Sequence, residues 1–190
     1  MAFAFFIKKE VGDIKLRLNK ITFCSILISL AIAGSFVPIF SLPFGGSVTM
    51  FSMLFICLTG YFYGAKFGMA SGLAFGLIKL ILKPSFVHPV QLIIDYVFSF
   101  SALGVSGFFK DAKNGLVKGY IVGVLGRYLF SVLSGFIFFG QYAWDGWGAL
   151  PYSMVYNGSY LFCEAILSVI LIKLPIFNKT VEKIKKTANK

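Results

Sequence analysis

Charged residues are scarce in this sequence, and acidic ones are the scarcest. Asp, Glu, Lys and Arg make up 13% of the 190 residues, and only seven of them are acidic, whereas about 25% of a typical soluble domain is charged. Apolar residues reach 58%, and the mean hydropathy is +0.85. A water-facing globule needs more polar surface than this chain has, so soluble, disordered and coiled-coil classes are excluded and a lipid bilayer is the expected surrounding.

Motifs of catalysis are missing as well. The chain has a single histidine and no GxxxxGK[ST] phosphate loop, no HExxH and no GxSxG. Its three cysteines lie in apolar runs without CxxC spacing, which is typical of small buried hydrophobes. We therefore expect a protein that is not an enzyme, without its own ATPase, and with no metal and no cofactor.

Long apolar segments take the place of charge. Cutting the chain at turn-forming residues gives six segments, each close to the roughly 20 residues that cross a hydrocarbon core. They are Ile21–Phe40, Ser47–Tyr63, Lys66–Leu82, Pro89–Phe109, Leu116–Gly140 and Tyr156–Leu174. We predict an all-α integral membrane protein with six transmembrane helices in residues 21–175, between a basic segment, 1–20, and a basic tail, 176–190.

The positions of the basic residues predict the orientation. The net charge is +11, and 15 of the 18 Lys and Arg residues fall in the N-terminal segment, the second and fourth connections and the tail. Cytoplasmic loops carry such an excess. Both termini are therefore expected to be cytoplasmic, and the positive charge is assigned to membrane topology and not to nucleic-acid binding.

Four ionisable residues lie inside the predicted spans, where a charge is costly and therefore a functional candidate by default. They are Lys79, Asp95, Arg127 and Glu164. Helical spacing places them on three polar stripes: Gln91, Asp95 and Ser99; Arg127, Ser131 and Ser134; and Asn157, Tyr160, Glu164 and Ser168. Three facing stripes predict a polar interior.

The expected depth of the two carboxylates suggests a site near the outer surface. At about 1.5 Å per residue, Asp95 and Glu164 lie roughly 9–12 Å below the outer ends of the predicted helices. The segment Gln141–Val155 above them is predicted to be a long aromatic loop with Trp144 and Trp147. Together these features predict a small-molecule site under a lid.

Structural interpretations of the same residues stay open. Arg127 can pair with Glu164, and Asp95 with Lys79, as buried ion pairs that only fix helices. The loop aromatics can equally form a belt at the membrane surface.

Small residues recur at every fourth position in two places. Gly68, Gly72 and Gly76 are interpreted as sites of close helix packing within the chain. Ser25 and Ser29 on the first helix have the same spacing, and for them a docking surface is kept open.

Several blocks of sequence occur together in an order that is typical of a known family. They are Ser35–Pro38, Leu42–Thr49, His88–Tyr96, Gly126–Tyr128, Ser134–Ala143 and Tyr152–Tyr160, followed by Glu164. The set resembles the substrate-binding S components of energy-coupling factor (ECF) vitamin transporters, most closely the thiamine-specific family. The resemblance covers nearly the whole chain after its first twenty residues.

The resemblance implies a subunit of an ATP-driven importer in the bacterial plasma membrane. Such a subunit binds thiamine from outside, and its partners are a transmembrane coupling subunit and two cytoplasmic ATPase subunits. The family's AxxxA docking motif on the first helix matches Ser25 and Ser29, which are therefore the expected contact with the coupling subunit.

The resemblance also implies a ligand site under the loop between helices 5 and 6. The matching residues are Asp95, Tyr96, Ser131, Gly135, Phe139, Tyr152 and Asn157, and the residue chemistry adds Gln91, Glu164 and Trp144. The thiazolium of thiamine is a permanent cation, which a carboxylate and aromatic faces can hold. Gln91, Asn157 or Glu164 can satisfy the edge of the aminopyrimidine.

Two positions depart from the family pattern. Some relatives have His in place of Ser131 and Trp in place of Phe139, so stacking is expected to be weaker here or to come from Trp144. An S component for another vitamin or for the thiamine precursor hydroxymethylpyrimidine is the nearest alternative function. A small membrane enzyme or a channel subunit is the alternative from a different class.

Overall fold

The computed structural model describes the backbone of residues 2–84 and 88–188. Within these ranges it describes the side chains of residues 14, 16–84 and 88–188. The predicted connection Lys83–His88 therefore falls partly outside the described residues, as do the first residue and the last two.

Seven helices account for most of the described chain. They are α1 (Ala2–Ser35), α2 (Ser52–Tyr63), α3 (Ala65–Leu82), α4 (Pro89–Phe109), α5 (Gly115–Phe138), α6 (Ala149–Lys173) and α7 (Pro175–Ala188). Five of them are long and apolar enough to cross a membrane: α3 to α6 and the part of α1 from Leu16 to Ser35. The predicted all-helical membrane fold is confirmed.

The sixth apolar helix, α2, is shorter than predicted. It begins at Ser52 and not at Ser47, and its 12 residues are about 18 Å long. Ten of these residues are buried, so α2 packs inside the helix bundle where the other helices surround it.

A β-hairpin replaces two predicted helix ends. Helix α1 ends at Ser35, not at Phe40, because Pro38 cannot continue the pattern of helical hydrogen bonds. Strand β1 (Pro38–Ser41) pairs antiparallel with β2 (Ser47–Thr49) and satisfies the backbone groups of this apolar stretch. The turn between the strands uses Gly45 at φ 95°.

Helix α6 begins at Ala149, seven residues before the predicted start at Tyr156. Pro151 is compatible with this because the first turn of a helix needs no N–H donor from it. Most of the predicted loop Gln141–Val155 is therefore helix or a short turn, Gly140–Tyr142. Glu164 lies about 22 Å from the first residue of α6, and not the roughly 12 Å expected from a helix start at Tyr156.

The glycine row on α3 packs against α4, as predicted. A Cβ at Gly72 or Gly76 would collide with the carbonyl oxygen of Phe100 or Tyr96. Close backbone contact of this kind stabilises helix pairs where lipid offers no hydrophobic driving force. It also holds the start of α4 firmly beside the site described next.

Candidate functional site

A cavity of about 160 Å³ lies at the end of the bundle where α3 and α5 end and α4 and α6 begin. Nine of the ten predicted ligand residues line it: Gln91, Asp95, Tyr96, Ser131, Gly135, Phe139, Tyr152, Asn157 and Glu164. The tenth, Trp144, is not in the wall and is half exposed. The Trp144 ring packs edge to face against the ring of Tyr152, with the ring centroids 5.3 Å apart, so Trp144 contacts a wall residue.

A π-helical turn, Ile93–Phe98, carries Asp95, one of the two carboxylates in the wall. Such turns insert an extra residue into a helix and are frequent at functional sites. Asp95 and Tyr96 lie in this turn, and the buried Gln91 donates from Nε2 to Oδ2 of Asp95 at 2.9 Å. The Asp95 carboxylate is thereby fixed in the cavity wall by a neighbour one turn earlier.

Both oxygens of the Glu164 carboxylate accept hydrogen bonds from other residues of the chain. Its Oε2 accepts from the amide and hydroxyl of Thr49, and its Oε1 from the Met53 amide at 3.1 Å and the Ser52 hydroxyl at 3.3 Å. The first N–H groups of a helix lack partners within the helix, and a carboxylate satisfies them well. Glu164 therefore joins the base of the hairpin and the start of α2 to α6.

The two buried ion pairs weighed from the sequence do not form. Among the residues whose side chains the structure describes (14, 16–84 and 88–188), an ion pair closer than 4 Å joins Lys110 and Asp111, and none joins Arg127 to Glu164 or Lys79 to Asp95. Arg127 lies over the ring of Phe100, 4.3 Å from its centroid, in a cation–π contact.

Asn157 bridges α5 and α6. Its amide nitrogen donates to the carbonyl oxygens of Ser131 and Ser153 at 3.2 and 2.9 Å, and its Oδ1 accepts from the Tyr160 hydroxyl at 2.7 Å. An amide oxygen has two lone pairs, so one acceptor site on Asn157 is left for a ligand.

Two further wall residues carry buried polar atoms. The Nε of Arg127 donates no hydrogen bond in the described chain, and the Ser134 hydroxyl lies near the Asp95 carboxylate. Both belong to the polar stripe predicted on the fifth span, which was the signal that could have added them to the site. Lys79 and Lys83 also line the cavity and were likewise left out.

The hairpin forms the remaining wall, which the list of predicted ligand residues does not include, because its strands are predicted to be helix ends and the turn between them a plain connection. Phe44, at φ 61°, lies against Tyr142 with ring centroids 4.4 Å apart. The Tyr156 hydroxyl donates to the Pro43 carbonyl and accepts from the Gly46 amide at 3.1 Å. The Pro-Phe-Gly-Gly turn was the signal available in the sequence.

The fold and the cavity define a multi-pass membrane protein with a polar, aromatic-walled chamber between its helices, an architecture suited to a small solute. Residues 21–185 match the family described as thiamine transporter protein (Thia_YuaJ). The chain belongs to this family and is a multi-pass protein of the bacterial plasma membrane.

Individual relatives agree with this assignment. The thiamine transporter ThiT of Bacillus subtilis (strain 168) is 34% identical over 148 residues, which are 70% of this chain and 77% of the relative. ThiT of Lacticaseibacillus paracasei is 27% identical over 119 residues, 54% and 59% of the two chains. The solved structure of ThiT from Listeria monocytogenes superposes with a TM-score of 0.68 at 26% identity, covering 84% of this chain and 96% of that one. The predicted family is confirmed.

Proposed function

We propose that this chain binds thiamine in the cavity and serves as the substrate-binding subunit of an importer. The observation that carries the proposal is the fixed carboxylate of Asp95 in a wall that also contains Tyr96, Tyr152 and Phe139, in a chain of the thiamine transporter family. A carboxylate and aromatic faces are the groups that hold an organic cation without an N–H donor.

The two rings of thiamine would use different parts of the wall. Asp95 neutralises the thiazolium, and aromatic faces add cation–π contacts of roughly 0.5–2 kcal/mol. The aminopyrimidine takes the remaining lone pair of Asn157 and the hydroxyl of Ser134 in the cavity wall. Glu164 acts indirectly, by holding the hairpin over the cavity.

Orientation and partners extend the proposal. Both termini are cytoplasmic, α2 completes a set of six transmembrane helices, and the cavity opens to the outside. The membrane domain spans 21–175 between the basic segments 1–20 and 176–190. The resemblance to ECF S components implies that energy comes from a module of one coupling subunit and two ATPase subunits, and the sequence itself has no phosphate loop.

The contact with the coupling subunit is proposed at Ser25 and Ser29. Both are exposed on one face of α1, and the Ser29 hydroxyl is bonded to the Ser25 carbonyl at 2.9 Å. This back-bond satisfies the Ser29 hydroxyl, and two small side chains on one face allow another helix backbone to approach it closely.

Calorimetric titration of the purified chain with thiamine tests the ligand. Saturable binding to thiamine that is much weaker for hydroxymethylpyrimidine would support the proposal, because the precursor lacks the cation. Equal binding of both would move the assignment to the precursor. The absence of binding to either would contradict the proposal.

A further inference from the structure

Helix α7 takes no part in the cavity, and its three faces have different chemistry. Phe177, Val181 and Ala188 lie at helical spacing on the face that packs against the bundle. Ile176 and Ile184 lie on an exposed flank, where Ile176 is 84% exposed. A third face carries Lys179, Lys183 and Lys186, spaced i, i+4, i+7 and all exposed. We call this third face the lysine stripe.

Polar contacts set the rotation of α7 about its axis. The Tyr61 hydroxyl donates to the carboxylate of Glu182, and Lys185 Nζ donates to the carbonyl of Lys110. Lys185 also lies 3.9 Å from the centroid of the Tyr61 ring. These contacts come from the side facing the bundle, so the lysine stripe is held on the opposite side, facing away from the protein.

The position of α7 keeps it at the membrane surface. Only Leu174 separates the end of α6 from the start of α7, so the helix begins where a predicted span ends. A helix with one apolar flank and a neighbouring row of lysines lies in the interface, with its apolar side chains toward the acyl chains. Long lysine side chains beside that flank reach the headgroups.

Among the side chains that the structure describes, no carboxylate forms an ion pair within 4 Å with a lysine of the stripe. Glu182, the one acidic residue of α7, is hydrogen-bonded to Tyr61 instead. Three exposed cations in a row on an interfacial helix match the chemistry of negatively charged phospholipid headgroups.

We propose that the lysine stripe of α7 binds anionic phospholipid headgroups of the leaflet in which α6 ends. This site is separate from the thiamine cavity. It anchors the C-terminal helix to the membrane surface while Tyr61 and Lys110 anchor it to the bundle.

Native mass spectrometry of the full-length chain, titrated with phosphatidylglycerol or phosphatidylcholine, tests the proposal. We expect the wild type to prefer phosphatidylglycerol. The variant K179Q/K183Q/K186Q should bind it roughly tenfold to a hundredfold more weakly, and the matched Arg variant should retain it. K66Q/K113Q/K118Q has the same change in net charge at exposed lysines elsewhere and should lose much less.

Three results would overturn the proposal. The first is equal affinity of the wild type for the two lipids, and the second is an equal loss of phosphatidylglycerol binding in the control triple variant. The third is a Gln variant that keeps its lipid preference but no longer co-purifies with the ATPase module. The last result would assign the stripe to a protein partner. None of these readouts involves thiamine, so failure here is distinct from failure of the proposed function.

A second measurement leaves the lysines in place. An environment-sensitive dye on Thr187→Cys, in a Cys163→Ala background, lies on the exposed flank of α7. In vesicles its emission should shift to the blue when phosphatidylglycerol is added to phosphatidylcholine, and salt should reverse the shift. Emission that ignores lipid charge would contradict the proposal.

Discussion

Thr49 donates twice to one oxygen of Glu164, through its amide at 2.9 Å and its hydroxyl at 2.7 Å. The two residues are 115 positions apart in sequence, and both are buried. The pair joins strand β2 of the hairpin to the middle of α6.

We predict that Glu164→Gln lowers stability, because an amide cannot accept from all four donors around it. A loss of about 1–3 kcal/mol per unsatisfied buried group gives a clearly lower thermal midpoint in detergent. Thr49→Val removes one donor from the same site, so the double variant should lose less than the sum of the single losses. Additive losses would show that the two side chains do not interact.

Asp95→Asn is expected to weaken thiamine binding by about 10- to 100-fold while the protein stays folded, because the cation loses its counter-charge. Calorimetry measures the affinity. Asp111→Asn, at an exposed residue in the connection between α4 and α5, is the matched control and should bind normally. Normal affinity in Asp95→Asn would remove Asp95 from the proposed site.

Asn157→Ala is expected to reduce both affinity and stability, since the amide links α5 to α6 as well as lining the cavity. The stability loss should be about 1–3 kcal/mol. Tyr160→Phe removes only the hydroxyl that donates to Asn157 Oδ1, so it should retain most of the binding. If Tyr160→Phe lost as much affinity as Asn157→Ala, the role of Asn157 would lie in holding Tyr160.

Leu at both Ser25 and Ser29 is expected to block assembly with the coupling subunit but to spare thiamine binding, because bulk on this face keeps another helix away. Co-purification of the complex measures assembly. Ser159→Leu places the same bulk on an exposed position of α6 and should assemble normally. Assembly of the Ser25 and Ser29 variant would place the docking surface elsewhere.

The spans and the polar stripes of the cavity wall can be predicted because both follow from local rules, whereas the wall aromatics Tyr96, Phe139 and Tyr152 are implied only by the resemblance to the family. Apolar runs of about 20 residues and polar residues at helical spacing need no knowledge of the tertiary fold. Asp95, Gln91 and Ser99 were placed together in this way, and the structure keeps them in one wall.

The hairpin and the contacts of Glu164 could not be predicted in the same way. The turn-forming residues Ser41–Gly46 predict a connection between two helices, but the pairing of Pro38 with Thr49 across it is a tertiary contact that local rules do not give. Glu164 is predicted to contact the ligand, but its four protein donors come from the hairpin and the start of α2, both more than 100 positions away in sequence. Contacts of that kind depend on how the helices pack, which spacing along one helix does not reveal.

Helix α6 holds the hairpin at two heights, by Tyr156 at the turn and by Glu164 at the base. Eight residues separate these two side chains, which is about 12 Å along a rigid rod. Because the hairpin is attached to one helix at two points, it cannot move independently of α6. Opening the cavity on this side therefore requires either a tilt of α6 together with the hairpin or the loss of one of the two contacts.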